Sequence, residues 1–265
     1  MVECDIQTVT ALVIKAAREE IVPRFTHAVR DHKADGSVIT AADLAMQERL
    51  TIELAQRWPQ YCLLGEEMSP AEHQQLIAQP GLGLWCLDPL DGTSNFAAGL
   101  PFFAVSLSLI VDGQAILGIV YDPMRDDCFY ATRGGGAWLN GERLGEQRPK
   151  LPMARCTAIV DYKRLPPALA QRLVNQPPYS SQRSFGSVAL EWCWIAAGRA
   201  HLYLHGKQQL WDYSAGQLIL DEAGGHSVTL EGDPVRTVTL HPRSAVAALN
   251  RELFHEWTAW LGSVG

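Results

Sequence analysis

Apolar residues recur at helical spacing near the start of the chain. Ile6, Val9, Leu12, Val13, Ala16 and Ala17 predict a helix running from roughly Asp5 to Val29. A polar turn, His32 to Ser37, follows it. A second helix is predicted to begin at Thr40, with Asp43 in its first turn and Leu44, Leu50, Ile52 and Leu54 further along. The apolar run Tyr61 to Leu64 predicts a short buried strand leading into Gly65-Glu66-Glu67, and Pro70 to Ala78 reads as a helix.

From Leu84 the pattern turns to strands. Leu84-Trp85-Cys86-Leu87 predicts a buried strand that delivers Asp88 to its C-terminal end and stops at Pro89. Val105 to Val111 and Ala115 to Tyr121 predict a hairpin around Asp112-Gly113. Cys128 to Ala131 and Ala137 to Leu139 predict two more strands across Gly134-Gly135-Gly136. Beyond Arg148-Pro149-Lys150-Leu151-Pro152 the pattern restarts with a strand, Thr157 to Asp161, and a helix after Pro166-Pro167. A helix Ser187 to Ala197, a strand Ala200 to Leu204, a helix Asp212 to Ala223 and a last helix from about Arg251 to Leu261 complete the chain. This alternation predicts layered α and β elements with some antiparallel pairing. An N-terminal half, residues 1–148, and a C-terminal half, residues 149–265, are expected to pack as one compact unit.

With 265 residues, 47% of them hydrophobic, the chain can bury a substantial core. A formal net charge of -7 argues against a dedicated nucleic-acid surface. The six cysteines lack metal-binding spacing, and buried reduced thiols are expected, as in Tyr61-Cys62-Leu63-Leu64. The histidines show no ligand spacing, and most are expected at the surface. No signal-peptide pattern opens the chain and no apolar run approaches the ~20 residues of a membrane span, so a cytoplasmic setting is expected.

The candidate chemistry lies in acids. A predicted strand end carries Asp88-Pro89-Leu90-Asp91-Gly92-Thr93-Ser94, in which Gly92 permits a tight turn and Thr93 or Ser94 can start a helix. Alone, such a segment reads as an acidic turn. Two further acidic sites change that reading: Glu66 and Glu67 follow another apolar strand, and Asp212 opens an apolar helix. Crowded carboxylates repel unless a cation neutralises them, and hard oxygen donors beside phosphate favour Mg²⁺.

Together, Gly65-Glu66-Glu67, Asp88 to Ser94 and Trp211-Asp212-Tyr213-Ser214-Ala215-Gly216 resemble the inositol monophosphatase family over nearly the whole chain. The resemblance implies an αβαβα sandwich of the inositol monophosphatase and fructose bisphosphatase type, frequent homodimers, and two or three Mg²⁺ ions. It implies hydrolysis of a small phosphomonoester such as inositol 1-phosphate by metal-activated water. Glu66, Asp88 and the Leu90 carbonyl would hold one metal, Asp88, Asp91 and Asp212 a second, and Glu67 a weaker third. Glu66 and Thr93, the latter hydrogen-bonded towards Asp43, would orient the water. Gly92, Thr93 and Ser94 would place the phosphate, and Lys33 resembles a residue of the loop that closes over the metals. Gly186, Ser187 and Val188, with Asp212, would contact the substrate.

At the position seven residues before Asp212, where inositol phosphatases carry a ring-binding glutamate, this chain has His205, followed by Gly206-Lys207. His205 and Lys207 are therefore expected to favour a substrate with additional negative charge. A 3′(2′),5′-bisphosphate nucleotidase, a fructose 1,6-bisphosphatase and an NADP or histidinol phosphate phosphatase remain alternatives. So does an aspartyl-phosphate phosphatase, although its acids are one residue apart, whereas Pro89 and Leu90 separate Asp88 from Asp91 here.

Overall fold

The computed structural model describes residues 4–25, 38–79, 81, 83–145 and 151–262, and the backbone alone of residues 31–32. Lys33, residues 26–29 at the end of the first predicted helix, and residues 148–150 of the predicted boundary lie outside the described residues.

The first half begins with helices α1 (Ile6–Glu20) and α2 (Val22–Phe25), followed by short antiparallel strands β1 (Asp31–His32) and β2 (Val38–Ile39). Next come α3 (Ala41–Arg57), β3 (Cys62–Gly65), α4 (Pro70–Ile77), β4 (Leu84–Asp91) and α5 (Thr93–Ala98). An antiparallel meander then runs through β5 (Ala104–Val111), β6 (Gln114–Asp122), β7 (Asp127–Thr132), β8 (Gly136–Leu139) and β9 (Glu142–Arg143). Strands β3 to β9 form one sheet in chain order, in which only β3 and β4 are parallel.

The second half contains β10 (Thr157–Asp161), α6 (Pro167–Asn175), β11 (Ser181–Arg183), α7 (Val188–Ala196), β12 (Leu202–Gln208), α8 (Leu210–Glu222), β13 (His226–Val228), β14 (Arg243–Ala248) and α9 (Arg251–Gly262). Its sheet has the order β11-β10-β12-β14-β13, with β11, β10 and β12 parallel.

Alternation along the strands explains the layering, because successive side chains point to opposite faces. On β4, Trp85 and Leu87 face a core built with α1 and α3, while Leu84 and Cys86 face the opposite core with α7 and α8. On the second sheet, Ile159, Tyr203, Ala245 and Ala247 join that central core, whereas Val160, Leu202, Leu204 and Val246 pack against α6 and α9. The result is an αβαβα sandwich whose middle layer is α7 and α8. Among the described residues, no helix is long and apolar enough to cross a membrane.

Four sequence expectations need correction. Pro89 does not end its strand: β4 continues to Asp91, and the register shifts between Asp88↔Ser106 and Asp91↔Ala104. One extra residue bulges there, at a point where proline's missing N–H interrupts no regular ladder bond. The strands β11, β13 and β14 were not predicted; two have three residues, too few for a period to show. The strand expected at Ala200 to Leu204 instead spans Leu202–Gln208, which brings His205 into the sheet. Finally, Cys62 is exposed, although Cys86, Cys128, Cys156 and Cys193 are buried free thiols.

Helix α8 is buried on nearly all sides, so it needs small residues where neighbours approach closely. A Cβ on Gly216 would lie 2.6 Å from Trp192 Cβ, and one on Gly118 would lie 3.0 Å from the Ala215 carbonyl oxygen. Gly216→Val should therefore cost about 1–3 kcal/mol through overpacking. Thermal unfolding of the metal-free protein measures it, and an unchanged melting temperature would contradict this packing.

Candidate active site

Strands β3 and β4 end at the same sheet edge, because they are parallel and Gly65 is in register with Leu87. The Glu66 N–H donates to the Leu87 carbonyl at 3.0 Å, which fixes Glu66 beside Asp88. Within the bulge, the Leu90 N–H donates to Asp88 Oδ1 at 3.0 Å. Gly92 follows with φ +95°, and a Cβ there would stand 3.0 Å from the Phe102 carbonyl oxygen, so the turn needs glycine. The chain then enters α5, and the Thr93 hydroxyl lies 3.0 Å from Asp43 Oδ1 and 2.9 Å from the Leu90 carbonyl.

Asp43 reaches this point from α3. Its Oδ2 accepts from the Thr40 N–H at 2.8 Å and the Thr40 hydroxyl at 2.6 Å, closing a capping box with Oδ1 left for Thr93. Asp212 sits in the first turn of α8, where its Oδ2 accepts from the Gln209 N–H at 2.8 Å and the positive helix end favours its charge. The Ser106 hydroxyl on β5 donates to the Trp211 carbonyl at 2.9 Å and ties that turn to the first sheet.

Asp91 is held from the second half. Its Oδ2 accepts from the Ser187 hydroxyl at 2.6 Å and from the Ala189 N–H at 2.7 Å. Ser187 is itself fully buried and does not line the cleft, so the structure places it behind Asp91. Glu67 also lies off the cleft, with its N–H donating to Gln47 Oε1 at 3.0 Å, and Asp43 stands behind Thr93. The cleft, about 700 Å³, is lined by Glu66, Asp88, Leu90, Asp91 and Asp212, the expected metal donors. Gly92, Thr93, Ser94, Gly186, Val188 and His205 line it too.

Electrostatics bear on what this arrangement can hold. Burial, then the charges of Glu66, Asp91 and Asp212, push the Asp88 carboxyl well above the usual range. Burial and the charges of Asp91 and Glu66 do the same to Asp212. Asp91 rises to about 6 through burial, although the hydrogen bonds from Ser187 and Ala189 oppose the shift. Two buried acids and the half-buried Asp212, which resist ionising together, could hold a cation. The donors are carboxylates and a carbonyl, which suits Mg²⁺ rather than a soft metal. Among the described residues no group of three or more His, Cys, Asp or Glu side chains stands arranged to hold a metal ion, so the fit rests on donor chemistry and charge.

Several cleft residues were missed by the sequence reading. Asp161, Lys163 and Arg164 line it, as do His73, Glu191, Gln209 and Trp211. Glu191 Oε1 accepts from the Phe185 and Gly186 N–H groups at 2.8 and 3.1 Å, which shapes the loop before α7. Burial raises its carboxyl to about 8. A lone acid within Val188-Ala189-Leu190-Glu191-Trp192-Cys193 was the signal available. His73 is buried against the Gly65 carbonyl at 2.7 Å, contrary to the general expectation of surface histidines.

His205 Nε2 donates to Asp161 Oδ2 at 3.2 Å and its Nδ1 accepts from the Lys207 N–H at 3.3 Å. Burial lowers its pKa despite Asp161, which fits a neutral ring with this tautomer. Lys207 does not line the cleft but an adjoining groove.

Comparisons with known proteins bear on the family and the fold. Residues 1–261 match the model of the inositol monophosphatase family. The chain is 33% identical over 230 residues to "Nus factor SuhB" of Pasteurella multocida, covering 84% of each protein. It is 34% identical over 215 residues to "Inositol monophosphatase 1" of Solanum lycopersicum, covering 78% of each. The crystal structure of the extragenic suppressor protein suhB of Bartonella henselae superposes with a TM-score of 0.81 at 26% identity, covering 96% of this chain and 97% of that one. A cleft of clustered acids at the end of β4, in an αβαβα sandwich that this family shares throughout its length, leaves one conclusion: the chain belongs to the inositol monophosphatase family.

Proposed function

We propose that this chain is a Mg²⁺-dependent phosphomonoesterase that hydrolyses a small phosphorylated metabolite with water as the nucleophile. The observation that supports it most directly is the clustering of buried Asp88 and Asp91 with the half-buried Asp212 beside Glu66. Mg²⁺ bound among these acids and the Leu90 carbonyl would polarise the phosphoryl group and acidify water. Glu67, off the cleft, would serve only a weaker third ion.

The rest of the chemistry falls to the chain's own residues. The Thr93 hydroxyl, oriented by Asp43 and the Leu90 carbonyl, would position the attacking water, and Glu66 would take its proton. The first hydrogen bonds of α5 run from Asn95 and Phe96 to the Gly92 carbonyl, leaving the N–H groups of Thr93 and Ser94 ahead of them to meet phosphate oxygens. Ser187 acts through Asp91 rather than on the substrate. Gly186 and Val188 border the leaving-group side of the cleft.

A second reading follows from the relatives called Nus factor SuhB, in which the chain would act as such a factor. The net charge of -7 still argues against a dedicated nucleic-acid surface. A variant that loses hydrolysis but keeps the cellular role would favour that reading.

Phosphate release over a panel of phosphomonoesters should require Mg²⁺ and cease in EDTA; hydrolysis indifferent to EDTA would overturn the proposal. Asp91→Asn should lower kcat by at least about a hundredfold, the scale of a lost electrostatic contact, with the fold kept. Near-normal turnover would count against Asp91 as a ligand.

Protonation supplies a readout without catalysis. Asp91 is raised from 3.8 to about 6 in the metal-free fold, so the folded state binds its proton more tightly than the unfolded chain. Its contribution to stability is complete below pH ~4 and is lost as the pH rises through about 6. Mg²⁺ should accordingly raise the melting temperature more at pH ~7.5 than at pH ~5. An equal rise at both values would contradict a metal held by these acids.

A further inference from the structure

The cleft sets cations beside its acids: burial raises the Asp212 carboxyl, and the charge of Arg164 opposes that rise. Lys163 and Arg164 are the lysine and arginine that line the cleft among the described residues, and both also line a neighbouring groove of about 690 Å³. Lys207 and Arg243 extend that groove, against the acids Glu231 and Asp233. Glu231 is engaged by the Ser244 hydroxyl at 3.2 Å. Cations thus outnumber acids there on a chain whose net charge is -7.

The fold fixes how Arg164 is presented. Asp161 ends β10 in register with His205 of the parallel strand β12. Its Oδ1 accepts from the Lys163 N–H at 3.0 Å, and its Oδ2 accepts from Arg164 Nη1 at 2.6 Å and from His205 Nε2. Burial works against the Asp161 charge, yet the hydrogen bonds from His205 and Arg164 hold its carboxyl well below the usual range. A Cβ on Gly206 would lie 1.8 Å from the Arg164 carbonyl oxygen, so only glycine lets the turn Tyr162–Arg164 press onto β12.

The consequence is a division of labour among these residues. Both ring nitrogens of His205 are occupied, so His205 braces Asp161. Asp161 in turn anchors one nitrogen of Arg164, whose side chain remains half-exposed. The rest of its forked donor set is available where the cleft meets the groove, and such a fork matches a carboxylate or phosphate.

Resting on the phosphatase reading above, we infer that Arg164, with Lys163 and Lys207 beyond it, forms a second anion subsite. The substrate class is then a phosphomonoester that carries another anionic group, phosphate or carboxylate, on the part that meets Arg164. His205 and Asp161 are positioning residues for it.

Matched pairs test this with the full Mg²⁺-loaded protein. One pair is glucitol 6-phosphate against glucitol 1,6-bisphosphate; the other is glucitol 6-phosphate against gluconate 6-phosphate. At least one anionic member should exceed its neutral partner by about tenfold in kcat/KM, mainly through KM, as expected for a charge-assisted contact. Which pair shows it identifies phosphate or carboxylate. The advantage should shrink as salt is added, and Arg164→Gln should remove most of it. Should Arg164→Gln fail to fold by circular dichroism, Lys163→Gln and Lys207→Gln carry the same test. Equal efficiencies within both pairs, or an advantage that survives these substitutions, overturns the inference alone. Failure to hydrolyse any member overturns the phosphatase reading together with it.

Discussion

Like charges buried at the end of β4 set the terms for the rest of this molecule. Two unit charges ~4 Å apart repel by about 4 kcal/mol at an effective dielectric of ~20, more than a single hydrogen bond of about 1 kcal/mol returns. Asp88, Asp91 and Asp212 each receive backbone or hydroxyl donors, yet their carboxyls remain raised. Local hydrogen bonding therefore orients the acids without removing their conflict, and a divalent cation is the chemistry that does.

Holding such groups close requires a rigid frame, and the layers supply it. Glu66 and Asp88 come from neighbouring parallel strands, so their spacing is that of a sheet. Asp212 comes from a helix wedged between the two sheets, where Gly118 and Gly216 permit the close approach. Asp43 caps α3 and orients Thr93 with opposite oxygens of one carboxylate, which couples the start of a helix to the position of a hydroxyl.

Much of this was legible in the residues. Helix starts at Thr40 and near Asp212, the hairpin at Asp112-Gly113 and the strand Thr157–Asp161 follow from pattern and turn chemistry, and the acids were marked by their place after apolar runs. What was not legible depends on tertiary pairing. Pro89 reads as a strand end until β5 provides a partner on both sides of the bulge. Ser187 reads as a substrate contact at the start of a helix, because nothing in its neighbourhood shows that Asp91, far away in sequence, accepts its hydroxyl. Arg164 lies in a short turn with no periodicity, and its place at the cleft follows only from the pairing of β10 with β12.

The bonds from Ser187 and Ala189 to Asp91 reach beyond geometry. They join a residue that the first sheet carries to the start of α7 in the second half of the chain. A nascent polypeptide that has made only its first sheet owns Asp88 and Glu66 but lacks both Asp212 and the clamp on Asp91. Asp88, Asp91 and Asp212 therefore stand together as an oriented set only in the complete two-sheet fold.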